Sequence, residues 1–409
     1  MRFVALREFI VVGALAGFSI ALGAQSAARP SGAPSESFPT IVSVAAGGYT
    51  GYAVLSNGHV WAWGDDLEGQ IGDSGPWSSR PVPVEVPRLS AVIVMAGSGN
   101  SAFALRSDGK VWAWGDDSQG ELADKSFTAR QTPRPIPRLT AIKDIAAGAF
   151  SAYAIRDDGT AWAWGDNGFG QLGTGSKGAV STIPQELARL TDVVSVRSGS
   201  ADGYALLRDG TVWAWGDDSL KQLGGARCGA SRSDRPSVCL GSSVPQQVLG
   251  LAGVVAIAAG GDSGYALRRD GTVWAWGDDE FGELGNGVRR LDEATPVRVE
   301  GLIHVVAIAA GSCSAYALLR NGTVWAWGRG DYGQLGNGST ADRTIPVRVK
   351  GLTGVLQVVA GGDMTFALTR DRTLWSWGAN TLGQLGDGSE FNRDLPVRVH
   401  LLPGSARSN

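Results

Sequence analysis

The chain has 409 residues, 60 of them glycine and 15 tryptophan, and its 36 basic and 39 acidic side chains leave a formal charge of −3. That balance supplies no dominant basic field, which excludes nucleic acid backbones as the main partner. Three cysteines and three scattered histidines make no zinc motif, and HExxH, P-loop and Gly-x-Ser-x-Gly patterns are missing. No catalytic site, metal or cofactor is therefore expected.

In chain order, Arg2 and Arg7 precede an apolar stretch from Phe9 to Ala24, followed by small residues at Ser26, Ala27 and Ala28. This pattern predicts a secretory signal peptide over residues 1–28, cleaved between Ala24 and Ala28, and hence a secreted or periplasmic protein. Left uncleaved, the same stretch would serve as a membrane anchor. Residues 29–40 are rich in Ser, Pro and Ala and read as a flexible linker.

Next comes a repeat. Trp-x-Trp-Gly recurs at Trp61, Trp112, Trp162, Trp213, Trp274, Trp325 and Trp375, at spacings of 51, 50, 51, 61, 51 and 50 residues. Each unit shows an apolar run ending in a small residue and glycine, a Tyr-Ala-Leu-like run, a turn, the tryptophan motif, a Gly-rich loop and a final extended segment. Four strands per unit follow. In the fifth unit the expected strands are A over Val255–Gly260, B over Gly264–Arg269, C over Thr272–Gly277 and D over Pro296–Val299. Six units join B to C through Asn-Gly or Asp-Gly, the signature of a two-residue hairpin whose central residues need positive φ. The seventh has Asp371-Arg372, which puts a Cβ where glycine is preferred and predicts a mildly strained turn.

The two tryptophans of each motif lie at i and i+2, so both point to one side of the sheet. Fourteen of the fifteen tryptophans are therefore expected in the core. A unit of about 51 residues cannot bury its own apolar face, so its copies must stack. Seven radial sheets give an all-β, seven-bladed β-propeller of four-stranded blades over residues 41–402, with 403–409 as a tail.

The glycine-rich loops, such as Gly69-Gln70-Ile71-Gly72, Gly170-Gln171-Leu172-Gly173, Gly333-Gln334-Leu335-Gly336 and Gly383-Gln384-Leu385-Gly386, together with the Trp-Gly pairs, resemble the regulator of chromosome condensation repeat family. The likeness covers all seven units and includes a secreted bacterial type built on the same propeller. It implies this fold and, by way of the family's nuclear member, guanine-nucleotide exchange on a small GTPase. Where the family pattern repeats a histidine, this chain has Thr50, Asn100, Ser151, Asp202, Ser263, Ser314 and Met364. That departure and the expected secretion both disfavour exchange.

The fourth unit carries an insertion flanked by Cys228 and Cys239, an expected disulfide, and made basic by Arg227, Arg232 and Arg235. Cys313 is left over and reads as a small core residue. Strand alternation places the A–B and C–D loops on one face of the disc, and the B–C turns and D–A links on the other. The carboxylates just after Trp-Gly, including Asp65, Asp66, Asp116, Asp117, Asp278 and Asp279, read mainly as turn caps, with a cation or basic-partner surface as the alternative.

Loops that differ within a regular array give a partner something individual to read. The expected binding residues on the A–B loop face are Tyr49, Thr50, Asn100, Phe150, Asp202, Asp262, Asp363 and Met364, with Trp77 beside them. The function this supports is a monomeric, non-enzymatic, extracytoplasmic scaffold or inhibitor-like module for a protein partner. A carbohydrate-binding or carbohydrate-active propeller is the alternative, and it requires aromatic and acidic side chains to converge at the channel mouth.

Overall fold

A computed structural model describes residues 39–225 and 241–401. The expected signal peptide, most of the linker, the tail and the insertion with Arg227, Cys228, Arg232, Arg235 and Cys239 lie outside the described residues.

Among the described residues, twenty-eight strands form seven antiparallel sheets of four, each built from consecutive strands in chain order. Blade one comprises Ile41–Ala46, Thr50–Leu55, Val60–Gly64 and Arg80–Glu85. Blade five comprises Val254–Ala259, Ser263–Arg268, Val273–Asp278 and Asp292–Arg298. Its first three strands lie within a residue of their expected bounds. Its fourth begins earlier, because Asp292 and Glu293 already pair with Asp278 and Gly277.

The core is divided among the seams between blades. The second tryptophan of every motif is fully buried and reaches into the preceding blade. Its indole N–H donates to a loop carbonyl there: Trp114 to Gln70 at 2.9 Å, Trp215 to Gln171 at 2.6 Å, Trp276 to Gln222 at 2.9 Å and Trp377 to Gln334 at 2.8 Å. In five blades a tyrosine hydroxyl donates to the same carbonyl from its own side, as Tyr52 does to Gln70 at 2.9 Å. The rings of each pair meet edge to face, with centroids 6.4 Å apart for Tyr52 and Trp114. Burying an indole removes about 150–250 Å² from water, worth about 4–6 kcal/mol.

The expectation for the first tryptophan of each motif needs correction, since Trp61, Trp112, Trp162, Trp213, Trp274, Trp325 and Trp375 are only half-buried. They lie nearer the hairpin end of strand C, where the adjoining blade covers them incompletely. Three carry an arginine over the ring: Arg106 on Trp112, Arg156 on Trp162 and Arg268 on Trp274. Seven tryptophans, not fourteen, are fully enclosed.

The ring closes without a shared strand. Blade seven meets blade one through Gln357, whose side-chain amide donates to the Val44 carbonyl at 3.0 Å and accepts from the Val44 N–H at 3.1 Å. Trp63 completes this seam as its sisters complete theirs, donating to the Gln384 carbonyl at 3.1 Å. Around the channel mouth the A–B loops bond blade to blade through backbone, for example Gly48 N–H to Ser98 O at 2.7 Å and Gly261 N–H to Ser312 O at 2.7 Å. A Cβ on Gly361 would sit 2.1 Å from the Gly47 carbonyl, so glycine is a packing requirement at this closing seam, although Ser98 fills the equivalent position in blade two. Arg372 does adopt the left-handed region, with φ 66°, in the one hairpin that lacks glycine.

Candidate interaction face

Immediately after each Trp-Gly, a backbone N–H returns to the tip of the A–B loop in the same blade. Asp65 donates to Tyr49 O at 3.0 Å, Asp116 to Asn100 at 3.0 Å, Asp166 to Phe150 at 2.9 Å and Asp217 to Ala201 at 2.9 Å. Asp278 donates to Asp262 at 3.0 Å, Arg329 to Cys313 at 2.8 Å and Ala379 to Asp363 at 2.9 Å. These bonds make seven positions equivalent, with one backbone geometry and divergent side chains. Tyr49 and Phe150 are 47% and 43% exposed. Asn100, Ala201, Asp262, Cys313 and Asp363 are partly exposed.

Three expected binding residues are not on this surface. Thr50, Asp202 and Met364 are the first residues of their second strands, and all are at most 1% exposed. Their side chains turn into the seams, where the Asp202 carboxyl accepts from Gly199 N–H at 2.9 Å and lies 3.0 Å from Tyr204 Oη. Burial raises the Asp202 pKa well above the usual carboxylate range. Asn100 also moves: Ser101, not Asn100, occupies the position shared by Thr50 and Ser151. Counting back from the motif glycine would have found this, because Thr50 pairs with Gly64 as Ser101 pairs with Gly115. Cys313 belongs to the loop-tip ring rather than to the core, and burial with nearby carboxylates pushes its thiol up to about 12.

The carboxylates after Trp-Gly serve their own turns. Asp66 accepts from Ile71 N–H at 2.9 Å, Asp117 from Leu122 at 2.8 Å, Asp218 from Leu223 at 3.0 Å and Asp279 from Leu284 at 3.1 Å. Asn167 and Asn380 accept equivalent bonds from Leu172 and Leu385. An amide does the same work, so the position selects an acceptor and not a charge. Among the described residues no group of three or more His, Cys, Asp or Glu is arranged to hold a metal.

Sequence reasoning missed one substitution within this layer. Gln70, Gln171 and Gln222 each donate a side-chain amide to the aspartate that follows the motif, at 3.0, 2.7 and 3.2 Å. In blades two and five the glutamine becomes Glu121 and Glu283. Both are buried, and burial pushes both up to about 8. A neutral carboxylic acid keeps the shape of the amide it replaces.

The A–B loop tips are unequal from side to side, whereas the C–D loops expose apolar side chains all round, with Leu291, Tyr332 and Phe391 on blades five to seven. Blades one to three present Tyr49, Leu67, Trp77, Phe127, Phe150 and Phe169, all exposed. Around blades five to seven the tips are Asp262, Cys313 and Asp363, and burial raises both aspartates. The channel holds about 370 Å³ and is lined mostly by small residues, with Tyr49 and Arg197 at its wall and no carboxylate among its lining side chains. Asp144 lies behind, 3.9 Å from Arg197.

A closed ring of seven near-identical four-stranded blades, displaying divergent loops around a narrow channel, defines a seven-bladed β-propeller. The RCC1-like domain model matches residues 17–306, and regulator of chromosome condensation repeats match residues 321–368 and 372–408. The chain belongs to this family. It is 32% identical over 315 residues to the human E3 ubiquitin-protein ligase HERC2, a match covering 73% of this chain and 6% of the ligase. It is 30% identical to protein pim1 of Schizosaccharomyces pombe over 70% of this chain and 46% of pim1. The chain thus spans a minor part of these relatives. Among solved structures, Prp20p of Saccharomyces cerevisiae superposes with TM-score 0.72 at 23% identity, over 84% of this chain and 86% of that one. Human WBSCR16 gives 0.73 at 21%, over 86% and 96%. Both show the fold. The Prp20p structure was described with that protein's binding to Gsp1p and histones.

Proposed function

We propose that this chain is a non-enzymatic propeller that binds a protein partner outside the cytoplasm, through the face bearing the A–B and C–D loops. The observation that carries this reading is the ring of seven loop tips, where an unchanging backbone bond supports Tyr, Asn, Phe, Ala, Asp, Cys and Asp in turn. A purely structural position would repeat its side chain, as the seam tryptophans do. Tyr49 and Phe150 supply rigid, exposed anchors for the uncharged side of the contact, with Trp77 at 48% exposure beside them. The aspartates across the channel favour a partner with basic groups there. The family's solved neighbours bind protein partners, which supports the general class.

Extracytoplasmic location rests on the Arg2, Arg7 and Phe9–Ala24 pattern. The carbohydrate reading loses support because no carboxylate lines the channel with Tyr49. The test is affinity capture with tagged protein beginning at Arg29, from the envelope and culture supernatant of the source organism. One enriched extracytoplasmic protein is expected, lost on combined Tyr49→Ala and Phe150→Ala substitution. Capture that survives this double change would reject the face, and retention on glycans without any protein would reject the class.

A further inference from the structure

The opposite face carries a feature that the repeat does not require. Each D–A link holds a residue in the left-handed region just before a buried leucine. In the last three links it is Gly250, Gly301 and Gly351, with φ of 77°, 68° and 75°. In the first three it is Arg88, Arg138 and Arg189, with φ of 62°, 63° and 64°. The following leucines, Leu89, Leu139, Leu190, Leu251, Leu302 and Leu352, are buried in all six. The link geometry is therefore the same throughout, and glycine satisfies it. A non-glycine residue there costs about 1 kcal/mol each time.

A Cβ built on Gly250, Gly301 or Gly351 meets nothing within 4 Å, so a side chain at this position enters open solvent. The three arginines are exposed accordingly, and no hydrogen bond or ion pair engages their guanidinium groups among the described residues. No hydrogen bond or ion pair of the arginine offsets the strain there. The links hold a second left-handed position three residues on, filled by Ala91, Ala141, Asp192 and His304 as well as Gly253 and Gly354, so this backbone tolerates a Cβ. What sets blades one to three apart at the first position is three exposed guanidinium groups with no charge partner among the described residues.

We propose that Arg88, Arg138 and Arg189 form an arc across blades one to three that docks an acidic protein segment. Arg134 lies exposed on blade two, and Lys110 on blade two and Arg208 on blade four are exposed but each is ion-paired. Many carboxylates nearby are already engaged: Glu85 with His59, Asp108 with Lys110, Asp192 with Arg208, and Asp158 with the Thr160 N–H and hydroxyl. Asp157 and Glu186 remain between the arginines. A planar guanidinium takes a carboxylate in a paired fork, and three forks one blade apart suit a peptide with spaced acidic residues. A phosphate polymer fits poorly, because Asp157 and Glu186 interrupt the arc and repel an evenly charged backbone, whereas a peptide can space its carboxylates to meet the arginines.

The test is fluorescence anisotropy of a labelled glutamate-rich peptide at low salt, with duplex DNA of equal charge as competitor. The variant is combined Arg88→Gly, Arg138→Gly and Arg189→Gly, which installs the residue the other three links already use. The expected result is binding by the parent protein, weakened on the order of tenfold or more in the variant while its thermal midpoint is unchanged or raised. The Tyr49→Ala, Phe150→Ala protein should bind the peptide like the parent, which separates this surface from the loop-tip face. Equal binding by the triple glycine variant, no binding by the parent, or preference for DNA would each overturn the proposal.

Discussion

The seams and the loop tips repeat seven times in the same molecule, yet they obey opposite rules. At the seams the side chains recur: a buried tryptophan enters the preceding blade and bonds a loop carbonyl, even across the closure between Trp63 and Gln384. At the tips the backbone bond recurs and the side chains diverge, from Tyr49 to Asp363. Residues that stabilise and residues that recognise thus occupy separate layers, and substitution should separate stability from binding.

The largest effect belongs to the seam. Trp276→Ala should lower stability by about 3–5 kcal/mol, because the site cannot collapse around so large a void and the Gln222 carbonyl loses a donor. Denaturant titration measures this, and a loss under about 1 kcal/mol would break the contrast. At the tips, Tyr49→Ala or Phe150→Ala should change stability by no more than about 0.5 kcal/mol while costing about 2 kcal/mol or more of partner affinity. Calorimetric binding to the captured partner checks the second figure.

A third prediction sharpens the layer between them. Glu121 and Glu283 stand at about 8 in the folded protein, above the ordinary value of 4.5. The folded state therefore holds protons that the unfolded state releases. Their contribution is fully present below pH 4.5 and is lost as pH rises towards 8. Glu121→Gln with Glu283→Gln should raise stability at pH 8 by at least about 1 kcal/mol per site and flatten the slope between pH 5 and 8. An unchanged slope would show that the buried carboxyls ionise freely. The smallest effect is Arg372→Gly, expected to stabilise by about 0.5–1 kcal/mol by relieving a φ of 66°. Loss of the 3.3 Å bond from Arg372 Nη1 to the Ile41 carbonyl reduces that gain.

The architecture was legible because periodicity is a one-dimensional record of stacking. The tryptophan spacing and the Asn-Gly and Asp-Gly turns located the first three strands of blade five within a residue. Closure was not legible, since Gln357 reaches Val44 across almost the whole chain and its role appears only when the ring is assembled. At the face, the pattern located Tyr49 and Phe150 but misassigned Thr50, Asp202 and Met364. One residue separates an exposed loop tip from a buried strand start, and side-chain direction reverses across that step. The first tryptophans failed for a related reason: sharing a side of the sheet with the second does not ensure equal cover by the next blade.

The most direct measurement pairs unfolding with partner capture on one variant that converts Tyr49, Asn100, Phe150, Asp262, Cys313 and Asp363 to alanine, matching Ala201. The account predicts an unfolding midpoint close to that of the parent protein and loss of capture. Retained capture, or a collapse in stability comparable to Trp276→Ala, would contradict the separation of recognition from folding.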